Sequence, residues 1–214
     1  MSVREVLQIL PARRSRDGDG VLIQRVVGQQ AHDLDPFLMV DEIRSDDQAD
    51  YVGGFPAHPH RGIETLTYML SGGFVHQDNL GHRAELSNGG AQWMSAGRGI
   101  IHSEMPLIHQ GLLHGFKLWI NLLAAEKMKN PEYRQATGRE LPQLKLASGG
   151  LARAVAGQWT LEGRMSGSPL SGMAAGARAL DLQLPAAAQL SLDLPAADTL
   201  LAYIYQGVLL AGLP

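Results

Sequence analysis

The chain has 214 residues, a formal net charge of −3 and no cysteine. This length allows one large domain or two small ones, and the lack of cysteine excludes disulfides and thiolate metal sites. The small net charge gives no electrostatic reason to expect nucleic-acid binding. The N-terminus carries Glu5 and no long apolar core, so it is unlike a secretory signal. No apolar run approaches the roughly 20 residues of a membrane-spanning helix. We therefore expect a cytoplasmic protein that binds neither nucleic acid nor membrane.

The 25 glycines and many short apolar runs predict an all-β fold. In the first half, turn signals recur about every eight to twelve residues, which is typical of a small antiparallel barrel. Residues 11–20 and 161–176 are predicted to be loops. The predicted strands cover residues 21–27, 63–70, 74–76, 84–86, 91–94, 100–104, 112–123, 151–156, 178–184, 189–194 and 200–205.

Acidic residues follow an apolar stretch at residues 35–43, DPFLMVDEI. The apolar side chains of this stretch are predicted to lie in the core. Asp41 and Glu42 can be imagined as metal ligands, but a surface or loop-anchoring role is the simpler expectation for them.

Two pairs of polar residues share the same spacing, His58-x-His60 and His102-x-Glu104. In a strand, residues i and i+2 point to the same face, so each pair can aim two ligand atoms at one point. Pro59 separates the two histidines of the first pair and excludes a helix interior there. The sequence therefore predicts that two facing strands bring together three imidazoles and one carboxylate.

This donor set suits a divalent transition metal, and affinity alone does not choose among Fe, Mn, Co, Ni, Cu and Zn. Four protein ligands from a barrel interior leave one or two open positions, as catalytic sites do.

The remaining five histidines are expected to have structural roles. His76 and His82 flank a turn and are expected at the surface or bonded to a loop. His109 and His114 fit a core or ligand-supporting role. Glu64 lies four residues after His60 and could reach the metal or the groups around it.

Four strings in the first half resemble the pirin family of the cupin superfamily. They are DPFLMVDEI (35–43), FPAHPHRGIETLTYMLSG (55–72), HQDNLGH (76–82) and GGAQWMSAGRGIIHSEMP (89–106). The string KLWINLLAAEKMKNPEYR (117–134) resembles the family's crossover between two barrels.

The resemblance implies a bicupin, with two antiparallel β-barrels of the double-stranded β-helix type. The first, residues 1–125, would hold the metal; residues 126–140 would be a linker. Residues 141–214 would form a second barrel without metal, incomplete at its C-terminus. The family's ligands fall on His58, His60, His102 and Glu104. In the general cupin pattern the glutamate ligand would fall on Glu64. Pirin-like proteins instead use the glutamate two residues after the third histidine, so we rank Glu64 behind the ligands.

The resemblance also implies a function. Some pirin-like proteins are similar to quercetin 2,3-dioxygenases, which open a flavonol ring with O2 and release carbon monoxide. The expected cofactor is one divalent metal, Fe(II) first, and Glu104 is the expected catalytic base. The alternative is a regulator in which the redox state of the metal controls binding of a protein partner, without turnover.

Overall fold

The computed structural model describes residues 4–28, 34–107 and 111–211. Within these ranges the chain forms β-strands and three short 3₁₀ helices, so the all-β prediction is confirmed. The strands are β1 (Arg13–Asp17), β2 (Val21–Val27), β3 (Phe37–Ser45), β4 (Phe55–His60), β5 (Ile63–Ser71), β6 (Phe74–Asp78), β7 (Arg83–Leu86), β8 (Ala91–Ser95), β9 (Ile100–Pro106), β10 (Leu113–Asn121), β11 (Glu132–Ala136), β12 (Gln143–Lys145), β13 (Leu151–Ala156), β14 (Gln158–Leu161), β15 (Arg164–Gly167) and β16 (Ala179–Gln183). The 3₁₀ helices are Gln48–Asp50, Ala124–Glu126 and Ala174–Gly176.

Two antiparallel sheets form the first part of the molecule. A seven-stranded sheet has the order β1-β2-β3-β10-β5-β8-β11, and a four-stranded sheet has the order β4-β9-β6-β7. Phe55 and Phe74 of the smaller sheet share a buried cluster with Ile23, Ile43 and Met69 of the larger one. The two sheets therefore pack face to face, and the space between them is available for side chains of β4 and β9.

The large sheet is covered on its other face as well. Leu66 and Trp93 point away from the small sheet and pack with Leu170 and Met173 from the C-terminal part of the chain. Every residue of β8 is consequently buried. In a strand with both faces covered, consecutive residues are all buried even though they point to opposite faces of the sheet.

The turn before β9 depends on a glycine. Gly97 has a φ of +46°, and a Cβ atom there would lie 2.2 Å from the carbonyl oxygen of Lys129. Only glycine combines this left-handed backbone with so close an approach. This turn returns the chain from β8 into β9, which carries the second polar pair.

Some predicted loops contain strands. Residues 13–17 pair with β2 although all five are exposed, so no hydrophobic pattern marked them. Residues 161–176 include half of the β14–β15 hairpin. Glu162 and Gly163 have φ values of 49° and 72° there, as the two central residues of a type I′ turn require. The loop prediction was wrong for Leu161 and Arg164–Gly167, because the turn residues between them were interpreted as irregular chain, whereas residues 168–173 do lack strand and helix.

Two predicted strands in the C-terminal part are wrong. Residues 189–194 and 200–205 pair with no strand in the described structure. Their alternation reflects packing: Leu190, Leu192 and Leu194 lie against a small cluster that includes Trp159. The alternation of apolar residues does mark buried side chains, but the backbone of these segments pairs with no described strand.

The predicted linker at 126–140 contains β11, which pairs with β8 and so belongs to the large sheet. The later strands form a three-stranded sheet, β12-β13-β16, and the separate hairpin β14–β15. The division into two barrels stays a prediction. In the described part of the chain, no helix has the length and apolar character that crossing a membrane requires.

Replacing Leu66 tests the importance of the cluster between the large sheet and the C-terminal part. Leu66 is 1% exposed, so we expect Leu66→Ala to lower the free energy of unfolding by about 2–5 kcal/mol through lost burial and a cavity. The matched control is Leu123→Ala, since Leu123 is 62% exposed; its effect should stay within about 0.5 kcal/mol. Denaturant unfolding measures both, and equal effects would contradict the description of this core.

Candidate metal centre

The two polar pairs lie on neighbouring strands of the small sheet. β4 carries His58 and His60, and β9 carries His102 and Glu104. His58 is directly opposite His102, and a bulge shifts the register between Phe55 and His58. His60, His102 and Glu104 are buried, whereas His58 is half-buried. The strand placement predicted for both pairs is therefore confirmed.

The three imidazole rings converge. The Nε2 atoms of His58 and His60 are 3.0 Å apart. The ring centroid of His102 lies 4.5 Å from that of His58 and 5.0 Å from that of His60. One ring nitrogen of each lies within 4.8 Å of the others. Nitrogens bound about 2.0–2.1 Å from one zinc-sized ion lie about 3 Å apart, so this spacing suits a shared ion.

Two ring nitrogens have the hydrogen-bond environment that a metal ligand needs. The Nδ1 atom of His58 lies 2.8 Å from the carbonyl oxygen of Pro56. Because a carbonyl only accepts, this Nδ1 donates and Nε2 keeps its lone pair. The Nε2 atom of His102 is buried and has no hydrogen-bond partner among the described residues. A bound metal ion would satisfy a nitrogen that is otherwise costly to bury, so these residues fit such an ion.

The rings are held neutral. Burial, followed by the nearby Lys117 ammonium, lowers the pKa of His60 to about 3. The same two causes lower the pKa of His102. Burial also lowers the pKa of His58. Neutral imidazole is the form that binds metal ions, so near neutral pH no proton has to leave these rings first.

Glu104 is held from the large sheet. Its Oε1 atom accepts hydrogen bonds from Gln92 Nε2 at 2.7 Å and from Thr67 Oγ1 at 3.3 Å, and its Oε2 atom contacts Lys117 Nζ. Ligand atoms of Glu104, His102 and His76 lie within 4.8 Å of one another. The predicted ligands thus fall into two overlapping groups that share His102: one adds His58 and His60, and the other adds Glu104 and the further residue His76.

Lys117 is a functional candidate that the sequence reading missed. It is buried, with its ammonium at Glu104 and 5.4 Å from the centre of the Phe55 ring. Burial lowers the pKa of Lys117 to about 7, against the opposing charges of Asp17 and Asp41. Its signal was available, because a single lysine interrupts the long apolar run of residues 112–123.

His76 was expected at the surface or bonded to a loop, and the surface expectation is wrong. It is fully buried, and its ring centre lies 5.2 Å from that of His102. Its Nε2 atom lies 3.3 Å from Asp78, which also bonds His82. The alternation of β6 places Phe74, His76 and Asp78 on the buried face, and this pattern could have identified it.

Glu64 does not support the metal centre. Its carboxylate accepts hydrogen bonds from Trp93 Nε1 at 3.0 Å, from the backbone N–H of Ala174 at 2.7 Å and from Lys129 Nζ at 3.2 Å. All three partners lie away from the histidine cluster. Glu64 points to the other face of the large sheet, where it ties the C-terminal part of the chain to β5.

The surface expectation for Asp41 and Glu42 is wrong, since both are buried in β3. The loop-anchoring expectation holds for Glu42, which bonds Tyr203 of an irregular segment. Asp41 forms a bidentate ion pair with Arg25. Glu42 lies 2.8 Å from His114 Nε2 and accepts a hydrogen bond from Tyr203 at 2.6 Å. His114 thus has the satisfied core role that was one of its two expectations. The remaining histidines, His32 and His109, lie outside the described residues.

A surface depression of about 560 Å³ adjoins the cluster. His60 is one of its lining residues, together with the apolar residues Pro59, Ile100 and Ile101. Arg61 and Asn79 add polar groups to the lining.

One family model and several known proteins are similar to this chain. The family model described as Pirin matches residues 20–120. A Vibrio cholerae protein, provisionally named a quercetin 2,3-dioxygenase, is 46% identical over 209 residues, which are 98% of this chain and 74% of that protein.

Solved structures share the fold. A Geobacillus kaustophilus protein matches with a TM-score of 0.67 and 30% identity, over 81% of this chain and 66% of the other. A quercetin 2,3-dioxygenase from Acinetobacter baumannii matches with a TM-score of 0.65 and 26% identity, over 77% of this chain and 59% of the other. The last two matches show that the chain spans about two thirds or less of those proteins.

The buried pair of Lys117 and Glu104 gives a stability prediction for the metal-free protein. We expect Lys117→Met to lower the free energy of unfolding by about 3–5 kcal/mol, because it leaves Glu104 charged and without its cation. Adding Glu104→Gln should recover part of this loss. Exposed Lys145 provides the control Lys145→Met, expected within about 0.5 kcal/mol of wild type. Urea unfolding in the presence of a chelator is the measurement, and an undiminished loss in the double variant would contradict the pairing.

Proposed function

This chain belongs to the pirin family, and we propose that it is a metal-dependent dioxygenase that cleaves flavonols such as quercetin with O2. The observation that carries the proposal is the convergence of three neutral imidazoles beside a buried carboxylate. The names of the Vibrio and Acinetobacter proteins support the reaction class, and the cupin fold of the solved relatives is compatible with it.

We propose His58, His60, His102 and Glu104 as the metal ligands and Fe(II) as the metal. Three imidazole nitrogens and one carboxylate oxygen form a donor set that Fe(II) accepts, as do its neighbours in the first transition row. When bound, such an ion would supply a Lewis acid for the flavonol anion and the capacity to react with O2, whereas Zn(II) supplies only the Lewis acid.

Glu104 is the proposed general base. It would take the proton of the flavonol 3-hydroxyl on its carboxylate, which leaves the substrate as an anion ready for ring opening. Gln92 and Thr67 fix the orientation of Oε1, while Lys117 balances the negative charge in a site shielded from water. The overall reaction consumes one flavonol and one O2 and gives a ring-opened ester and carbon monoxide.

The surface beside His60 fits this class of substrate. Its exposed apolar residues Pro59 and Ile101 can cover the face of an aromatic ring, and Arg61 offers positive charge to a flavonol anion. His60 forms the part of the wall that belongs to the proposed ligand set. A planar, hydroxylated aromatic compound is therefore a better match to this lining than a strongly hydrated sugar or a peptide.

Turnover tests the proposed base. Metal-loaded wild type should consume quercetin with matching O2 uptake and carbon monoxide release. Glu104→Gln should lower kcat by at least about 100-fold, the usual contribution of a general base. Exposed Glu85 provides the matched control Glu85→Gln, expected to behave like wild type. Fully loaded wild type without turnover would contradict the dioxygenase and leave the predicted partner-binding role as the candidate to pursue.

Metal content tests the ligand set separately. His60→Ala should purify with a metal content well below one ion per chain, because it removes one of three convergent imidazoles. The control is His82→Ala, whose half-exposed side chain bonds Asp78 rather than any proposed ligand. Elemental analysis of Fe(II)-reconstituted samples is the measurement. Equal metal content in both variants would show that the ion is bound elsewhere.

A further inference from the structure

A row of polar side chains runs behind His102 and takes no part in the proposed reaction. His76 and Asp78 lie on β6, which pairs with β9 so that Asp78 is opposite His102 and His76 is opposite Glu104. Both side chains are buried. Buried polar groups of this kind need a reason, and packing alone supplies none.

Asp78 is fixed at the far end of the row. Its Oδ1 atom accepts hydrogen bonds from the backbone N–H groups of Leu80 at 2.9 Å and His82 at 3.1 Å. Its Oδ2 atom accepts from His82 Nδ1 at 2.8 Å and lies 3.3 Å from His76 Nε2. An ionised carboxylate only accepts hydrogen bonds, so His76 must carry its proton on Nε2.

The tautomer of His102 follows from that of His76 in the same way. With its proton on Nε2, neutral His76 presents a lone pair on Nδ1, which lies 3.4 Å from Nδ1 of His102. His102 must then donate from Nδ1, which leaves its Nε2 atom with a lone pair. That Nε2 is the buried nitrogen without a partner among the described residues. The Tyr133 ring stacks on His76 at 4.4 Å and 23°, which holds the plane of the imidazole.

We propose that His76, oriented by Asp78, is a positioning residue that holds His102 in the tautomer required of a metal ligand. The role rests on the proposed metal centre and adds to it a pair of residues outside the ligand set. Supporting partners of this kind typically change metal affinity by about 10–100-fold when they are removed. His82 bonds the same carboxylate oxygen but no proposed ligand, so it should not share this role.

The tautomers can be measured on the metal-free wild-type protein. Long-range ¹H–¹⁵N correlation spectra of the histidine rings distinguish protonated from unprotonated ring nitrogens. We expect His102 to be protonated on Nδ1 and His76 on Nε2. A His102 ring protonated on Nε2 would overturn the inference whatever metal the protein binds, and no variant has to fold for this result.

Variants then test the effect on metal binding, with Co(II) as the probe. His76→Leu should weaken Co(II) binding by about 10–100-fold and alter its visible absorption spectrum. His76→Asn should recover most of the affinity, because its side-chain oxygen can accept from His102 Nδ1. The control His82→Leu should bind within about threefold of wild type, because His82 reaches no proposed ligand.

The possible failures are distinguishable. Equal Co(II) affinities and spectra for wild type and His76→Leu would overturn the positioning role while leaving the metal centre intact. A His76→Asn variant as weak as His76→Leu would also overturn it, since the accepting atom would then be irrelevant. Wild type that binds no Co(II) or Fe(II) would overturn the proposed function and this role together.

Discussion

The structure depends on a large sheet whose central strands are buried on both faces. Alternate residues of its central strands point into two different interiors. On β5, Thr67 points toward the histidine cluster, whereas the neighbouring Tyr68 donates its hydroxyl to Asp181 in the C-terminal part of the chain. On β10, Lys117 contacts Glu104 and Phe116 packs against Tyr203. The pairing of β5 with β10 thus positions the groups around the candidate centre and also the residues that pack against the C-terminal part of the chain.

This arrangement divides the work between the two sheets. The small sheet contributes the histidines through β4 and β9, and the large sheet contributes the groups that hold Glu104. Because those groups come from three different strands, the position of the carboxylate depends on the sheet register as a whole. A one-residue slip in any of these strands would send its polar side chain to the opposite interior.

Much of the centre could be predicted because its signals are local. The spacing of His58 and His60, with Pro59 between them, determines both the strand and the shared face. The groups around the centre are different, since Lys117, Gln92 and His76 reach it only through strand pairing across long stretches of chain. Glu64 shows the opposite error. Its spacing from His60 placed it near the metal, but the chain turns at Gly62 and sends the carboxylate to the other interior.

The C-terminal part was the hardest to predict for a related reason. Short apolar segments predict strands well when a neighbouring strand completes the ladder, as for β13 and β16. Residues 189–194 show the same alternation but pack only through side chains. The spacing of apolar residues along the sequence indicates which side chains are buried. It does not indicate whether the backbone forms hydrogen bonds with a neighbouring strand.

The position of β11 bears on how this chain can be dissected experimentally. A fragment that ends before Glu132 would lose the strand that pairs with β8. It would also lose Tyr133, whose ring stacks on both His76 and His82. A fragment ending after Ala136 keeps those contacts but exposes Leu66 and Trp93 to solvent, with Glu64 deprived of its Ala174 partner. A fragment that is to keep the contacts of Leu66, Trp93 and Glu64 must therefore extend past Ala174.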